Sequence, residues 1–254
     1  MGSNFLDKTP LVAQGPTRAT VRGEMLPDSE SVLDKADEQL AEVRQMYEES
    51  LQQKQPSGRL LATIKNVLDN QRSALEFIAH AIYEQHGKKG SKCYYPYAHN
   101  AAEFNAVFDK NLPGVRAARP DIATAIQAHQ PYQAEHGSLG YLVTLSNENK
   151  HRNLSPQSRR EHRRFEVRRD GATMSMDADA YLRGDIKFNF GPGVEIRIAG
   201  HRVNSEAELR AVMQEVIYVD WLFTDTGSSV IATLESIQST VRQTAEDVSK
   251  AAGL

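Results

Sequence analysis

Apolar positions recur at helical spacing in three long stretches of the chain and at alternate spacing in one. Over about Ser29–Gln53, Leu33, Ala36, Leu40, Val43 and Tyr47 follow one another three or four residues apart. That predicts a helix with a single oily stripe and an otherwise charged surface, opened by the capping oxygens of Asp28 and Ser29. Gln55-Pro56-Ser57-Gly58 breaks the pattern. A second helix is predicted from about Arg59 to Gln85 on Leu61, Ile64, Leu68, Leu75, Ile78 and Ile82, with Gln71 standing where the stripe calls for an apolar residue. Val230, Leu234, Ile237 and Val241 set a last helix running to near Val248.

Between these lie shorter elements. Residues 87–100 form a loop with an aromatic plug, Tyr94-Tyr95-Pro96-Tyr97, and short helices are expected around Ala101–Lys110 and Pro120–His129. A helix over Leu139–Leu154 is oily along Leu139, Leu142 and Leu145, then fills its last turn with Asn147, Asn149, Lys150, His151 and Arg152. Past Leu154 the period becomes two. Arg163–Arg169 puts Phe165 and Val167 on one face and His162, Arg164, Glu166 and Arg168 on the other, and further strands are expected over Ala172–Asp177, Asp185–Phe190 and Val194–Ile198. Ser205 and Glu208 make a capping box, predicted to open a helix through Leu209, Val212, Val216, Ile217, Trp221 and Leu222, with Thr226–Ser229 dividing it from the last helix. The expected fold class is therefore mainly α (α+β): a helical bundle with a small antiparallel β insert at about 160–203. Residues 1–27, with three prolines and no period, read as an extended or disordered arm before a single domain over 28–254.

Composition changes this picture little. At 254 residues the chain can bury a full core, and 40% apolar with 25% charged residues is ordinary for a globular protein. A net charge of -3 excludes polyanion binding by bulk charge, so such a role needs a local patch. One exists: from Lys150 to Arg169 there are eight Lys and Arg against Glu161 and Glu166, a local excess of six. A lone Cys93 permits no internal disulfide. No apolar run is long enough for a membrane span and no signal peptide is evident, so the expected location is cytoplasmic. No HExxH, Walker loop or GxGxxG occurs, and neither a metal nor a nucleotide cofactor is expected.

The chemistry converges on two helices. Arg72, Glu76 and His80 stand one turn apart along a ridge, where Glu76 could polarise His80 or all three could form an exposed ion-pair ladder. Continuing the Leu139–Leu145 stripe with Asn149 and Arg152 is costly unless they meet polar partners, so the end of that helix is expected to face the Arg72–Glu76–His80 ridge.

Asn70-Gln71-Arg72-Ser73-Ala74-Leu75-Glu76, the aromatic-proline loop Tyr95-Pro96-Tyr97 with Phe104, Gln130-Pro131-Tyr132, and Leu145-Ser146-Asn147-Glu148-Asn149-Lys150-His151-Arg152 together resemble a group of uncharacterised bacterial proteins over residues 60–155. That group usually has Leu in place of Gln71 and Asp in place of Glu76 and Asn149, and the likeness implies no established activity. A fold-level likeness to HEPN-type helical proteins, many of them metal-independent ribonucleases, implies such an activity, but their Arg-x4-6-His motif is not matched by Arg72 and His80 or by Arg152 and His162.

Three functions follow as expectations. The first is a metal-independent enzyme on RNA, with Glu76, His80, Asn147 and His151 catalytic and Arg72, Asn149, Lys150, Arg152, Arg160 and Arg164 binding substrate. The second is a nucleic-acid-binding module working through the 150–169 stretch without catalysis. The third is a helical interaction protein, in which the stripes on the first and last helices serve a homodimer and the polar cluster is purely structural.

Overall fold

The computed structural model describes residues 25–90, 92–134, 137–151, 156–169, 172–189, 196–198 and 201–254, without the side chains of 148–151, 169 and 172. The proposed arm lies almost wholly outside the described residues. Its last residues do not: Met25 is buried, Leu26 packs on the core, and α1 (Pro27–Ser50) begins with proline in its first turn. Proline suits that position because its missing N–H is one the helix cannot use. The expected caps do not form. Neither Asp28 nor Ser29 caps α1, and the Ser29 hydroxyl donates across to the Ala74 carbonyl at 2.7 Å.

α2 (Gly58–His86) opens on Ser57, whose Oγ accepts from the Leu60 N–H at 3.1 Å. α1 packs along α2, and α9 (Val230–Ala252) lies against both. Every stripe residue of α1 and α9 is buried inside one chain, so the surplus apolar surface that suggested a homodimer is absent from these helices. Gln71 is explained by what it meets. It is fully buried, and its Nε2 donates to Gln238 Oε1 at 3.0 Å and to the Leu234 carbonyl; Gln238 in turn donates to Asp37 and to the Leu33 carbonyl. A chain of amides thus crosses all three long helices at one level. It fixes their register, because any slip would strand buried polar atoms.

α3 (Phe104–Asn111), α4 (Val115–Ala118) and α5 (Pro120–Ala128) close one end of the bundle; α4 was not anticipated. Its entry needs Gly114 at φ +87°, where an added Cβ would also stand 2.7 Å from Lys88 Cγ. α6 (Ser138–His151) packs on α2 and α9 through fully buried Leu139, Leu142 and Leu145.

The β region departs from expectation. β1 (Gln157–Arg169) is longer than predicted and is the centre of a three-stranded antiparallel sheet ordered β2-β1-β5, with β2 at Ala172–Asp177. Residues 205–222 are not one helix. The capping box does form, Ser205 Oγ accepting from the Glu208 N–H at 3.2 Å, but α8 (Glu206–Val212) stops there and Gln214–Phe223 is strand β5. β5 pairs with β1 from Gln157↔Phe223 to Glu166↔Gln214. Asp185–Asn189 forms no strand; Ile186 and Phe188 lean on the small core without joining a ladder. Val194 and Phe190 lie outside the described residues. β3 (Ile196–Ile198) pairs only with β4 (His201–Val203), and α7 (Ala178–Arg183) follows β2. Val167, Met176, Tyr181, Ile198, Val203 and Leu209 form a second, smaller core under the sheet. The molecule is mainly helical with a small antiparallel β region, and among the described residues no helix is long and apolar enough to cross a membrane.

Candidate functional site

Of the polar turn at the end of α6, Asn147 reaches the ridge on α2, with Ser146 beside it. Arg72 Nη1 donates to Ser146 Oγ at 2.9 Å and to Asn147 Oδ1 at 2.8 Å, while its Nε stands 3.7 Å from Glu76 Oε1. The guanidinium also lies over the Tyr97 ring, 5.9 Å from its centre. Glu76 faces the aromatic loop, its Oε2 accepting from the Tyr95 N–H at 2.8 Å. One arginine and one carboxylate therefore hold together α2, α6 and the loop. Asn149, Lys150 and His151 are placed in the helix by their backbone alone, and their side chains, like all of Arg152, lie outside the described residues.

His80 is arranged differently from the expectation. Its Nδ1 lies 3.5 Å from Glu84 Oε1, one turn further on, and the side chain is 60% exposed. The carboxylate pairing with it among the described residues is Glu84, and Glu76 turns toward Arg72 and Tyr95. The spacing from residue 80 to 76 or to 84 is one helical turn either way; the buried backbone amide of the loop draws Glu76 away.

Arg72, Glu76 and His80 nonetheless line one open cleft of about 450 Å³, together with Phe77, Cys93 and Tyr94. Phe77 and Tyr94 are 40% and 51% exposed, large rings turned to solvent beside a cation and an imidazole. The composition of the loop hints at such a wall; which of its tyrosines faces outward does not show in the sequence. Tyr95 is buried against Tyr97, ring centres 4.9 Å apart, and both hydroxyls are buried with no hydrogen-bond partner among the described residues. Burial, then the nearby Glu76 charge, pushes both phenols well above their ordinary range. The loop is tied down from its far side by fully buried Gln130, whose Oε1 accepts from the Ala98 N–H at 2.8 Å and whose Nε2 donates to the Ile126 carbonyl.

Cys93 is half-buried in the same wall. Burial first, and then the charges of Glu76 and Glu84, push its thiol above the ordinary cysteine value. The thiolate is the nucleophile, so alkylation by iodoacetamide should rise with pH through an inflection above that of a free thiol, and Glu76→Gln should move the inflection down. An inflection at or below the free-thiol value in the unaltered protein would contradict this account.

Arg159 pairs with Glu161, Arg163 with Glu215 and with Asp179 of α7, and Arg168 with Glu166, so neighbouring acids neutralise much of the excess along the chain. Arg160 and Arg164 have no carboxylate in ion-pair contact among the described residues; Arg164 Nε donates to Ser175 Oγ at 2.6 Å. The side chain of Arg169 lies outside the described residues. Among the described residues no group of three or more His, Cys, Asp or Glu converges as metal ligands would. Compared with models of known protein families, with curated proteins and with solved structures, the chain matches none.

Proposed function

We propose that the protein acts on single-stranded RNA bound in the α2 cleft. The observation that carries this reading is the pair of exposed rings, Phe77 and Tyr94, flanking Arg72 and His80 around one open cleft. Splayed bases stack on exposed aromatic faces, at about 1–3 kcal/mol per base, while cations follow the backbone. Arg72 serves as a positioning residue, since its described bonds end on Ser146, Asn147 and Glu76, and Glu76 holds the aromatic loop by accepting from the Tyr95 N–H. In a metal-independent, HEPN-like cleavage His80 would take the proton from a ribose 2′-hydroxyl as that oxygen attacks the adjacent phosphorus, the 5′-oxygen leaving with a proton from a second acid.

A second reading keeps the binding and drops the chemistry. It is favoured by the exposure of His80, which has only Glu84 beside it to orient it. Both readings are tested with a labelled unstructured RNA in EDTA. The double variant Phe77→Ala/Tyr94→Ala should weaken binding roughly tenfold or more. Cleavage by the unaltered protein that His80→Ala abolishes, with binding retained, supports the enzyme; binding without cleavage supports the binding module. No binding by the unaltered protein removes both.

A further inference from the structure

The alternation of β1 and its register with β2 and β5 sort the sheet into two faces. Residues paired directly across antiparallel strands share a face. One face carries Phe165, Val167, Met174, Met176, Trp221 and Phe223, which pack on the two cores, with exposed Arg159, Glu161, Arg163 and Ile217 between them. The other carries Arg160, His162, Arg164, Glu166 and Arg168, with Ser175 on β2 and Tyr218 and Asp220 on β5, and it is open around a buried Glu166. Six of these residues, His162, Arg164, Glu166, Ser175, Tyr218 and Asp220, line a groove of about 560 Å³.

The acceptors of this open face are already in use. Glu166 accepts from the Tyr218 hydroxyl and from Arg168 Nε at 2.7 Å, and those bonds, Tyr218's first, hold its carboxyl below the usual range. Asp220 Oδ1 accepts from the Tyr47 hydroxyl and from Ser229 Oγ at 3.1 Å. Asp177, opposite Arg164, caps α7 by accepting from the Ala180 N–H at 2.7 Å. Beside Arg168, which pairs with Glu166, three residues keep donors to spare. Arg160 is exposed and His162 half-buried, neither with a hydrogen-bond partner among the described residues, and Arg164 commits only its Nε. A surface whose carboxylates are satisfied and on which two guanidinium groups and an imidazole keep free donors can receive an anion.

Its shape says which kind. Arg160, His162 and Arg164 stand on alternate residues of one straight strand, so the donors follow one another at roughly 6.7 Å, twice the rise of a β-strand residue. Directly opposite the middle one, His162, is Tyr218, its ring 41% exposed and its hydroxyl anchored on Glu166. A row of evenly spaced donors fits a linear chain of single negative charges, and an oriented ring beside the row fits a base attached to that chain.

We infer that the open face of the β2-β1-β5 sheet is a contact surface for the phosphodiester backbone of single-stranded nucleic acid, with Arg160, His162 and Arg164 on the phosphates and Tyr218 under a base. This rests on the reading of the protein as a nucleic-acid binder but uses a surface separate in its residues from the α2 cleft, so the two can fail independently. The test is fluorescence anisotropy of the full chain with a labelled oligouridylate about a dozen nucleotides long, at low and moderate salt. Arg160→Gln/Arg164→Gln should weaken binding roughly tenfold at low salt and reduce the salt slope by about 1–2, near 0.7 for each single-strand phosphate no longer neutralised. Tyr218→Leu should weaken it roughly fivefold or more and leave the slope unchanged. Arg160→Gln alone, at an exposed position, guards against loss of fold and should show about half the slope change. Wild-type affinity and slope in the double variant, while Phe77→Ala/Tyr94→Ala loses binding, would overturn the sheet surface and leave the cleft standing. Displacement by polyglutamate as effective as by unlabelled oligouridylate would also overturn it, in favour of an acidic protein partner. No binding by the unaltered protein would overturn both surfaces.

Discussion

Trp221→Ala is expected to lower the unfolding free energy by about 3–5 kcal/mol, the usual cost of truncating a buried Phe or Trp. For a chain of this size that is a fall in melting temperature of roughly 10 °C. The indole is 1% exposed and belongs to the main helical core although it sits on a strand. Its Nε1 donates to Ser50 Oγ at 2.8 Å, and its backbone N–H donates to the Tyr47 hydroxyl at 3.0 Å. Tyr47 passes its own proton toward Asp220, and burial, then that bond, holds the phenol far above its ordinary range. Removing the ring opens a cavity where β5 docks on α1 and leaves Ser50 without its donor. Trp221→Phe keeps most of the volume and should recover more than half of the loss. Thermal unfolding followed by near-ultraviolet circular dichroism would check both. A change under about 1 kcal/mol in the alanine variant would mean that the sheet and the helices are not joined through this residue.

The same residue shows where the sequence stopped being legible. Val212, Val216, Ile217, Trp221 and Leu222 fit a helical stripe, and the capping box at Ser205 is real, so one helix is a fair reading of residues 205–222. Two facts overrule it. Val216, Ile217, Tyr218, Val219, Trp221 and Phe223 are all β-branched or aromatic, side chains that fit a pleated surface better than a helix. And β1 is 13 residues long, so its second edge needs a partner, which among the described residues β5 supplies from Gln157 to Glu166. That need comes from a segment some fifty residues earlier, and no local pattern contains it. By contrast α1, α2, α6 and α9 are legible because each buries a stripe set by its own periodicity.

The candidate site is legible in part for the same reason. The expectation that the end of α6 faces the Arg72 ridge rested on Asn149 and Arg152, whose side chains lie outside the described residues; Arg72 does meet their neighbours Ser146 and Asn147. Which carboxylate His80 would face was decided elsewhere, by the Tyr95 N–H of the aromatic loop drawing Glu76 aside. The faces of β1 were readable from alternation. Their charge balance was not, because Glu215 and Asp179, which neutralise Arg163, are distant along the chain.

Arg72→Ala should prove costly too, at about 2–4 kcal/mol. The side chain is mostly buried, and its loss takes the Arg72 cation away from the Glu76 carboxylate beside a wall of buried rings. It also leaves Asn147 Oδ1 without its donor and removes the cation above Tyr97. Arg72→Lys is not a conservative change here: an ammonium restores the charge near Glu76, but it cannot reproduce the planar fork that reaches Ser146 and Asn147 while lying over a ring, and it should recover only about half. Denaturant unfolding gives the totals. Hydrogen exchange over residues 92–98 and 142–147 locates the damage, which should appear as lost protection at both segments, because this side chain reaches both. Protection lost at only one segment would mean that α6 and the loop are held independently. The lysine variant also separates two roles for the guanidinium. If RNA binding returns with the charge while protection of residues 142–147 does not, the cation itself faces the ligand. If binding and protection recover together, Arg72 acts by holding Tyr94 and Phe77 in place, and the rings are what the ligand touches.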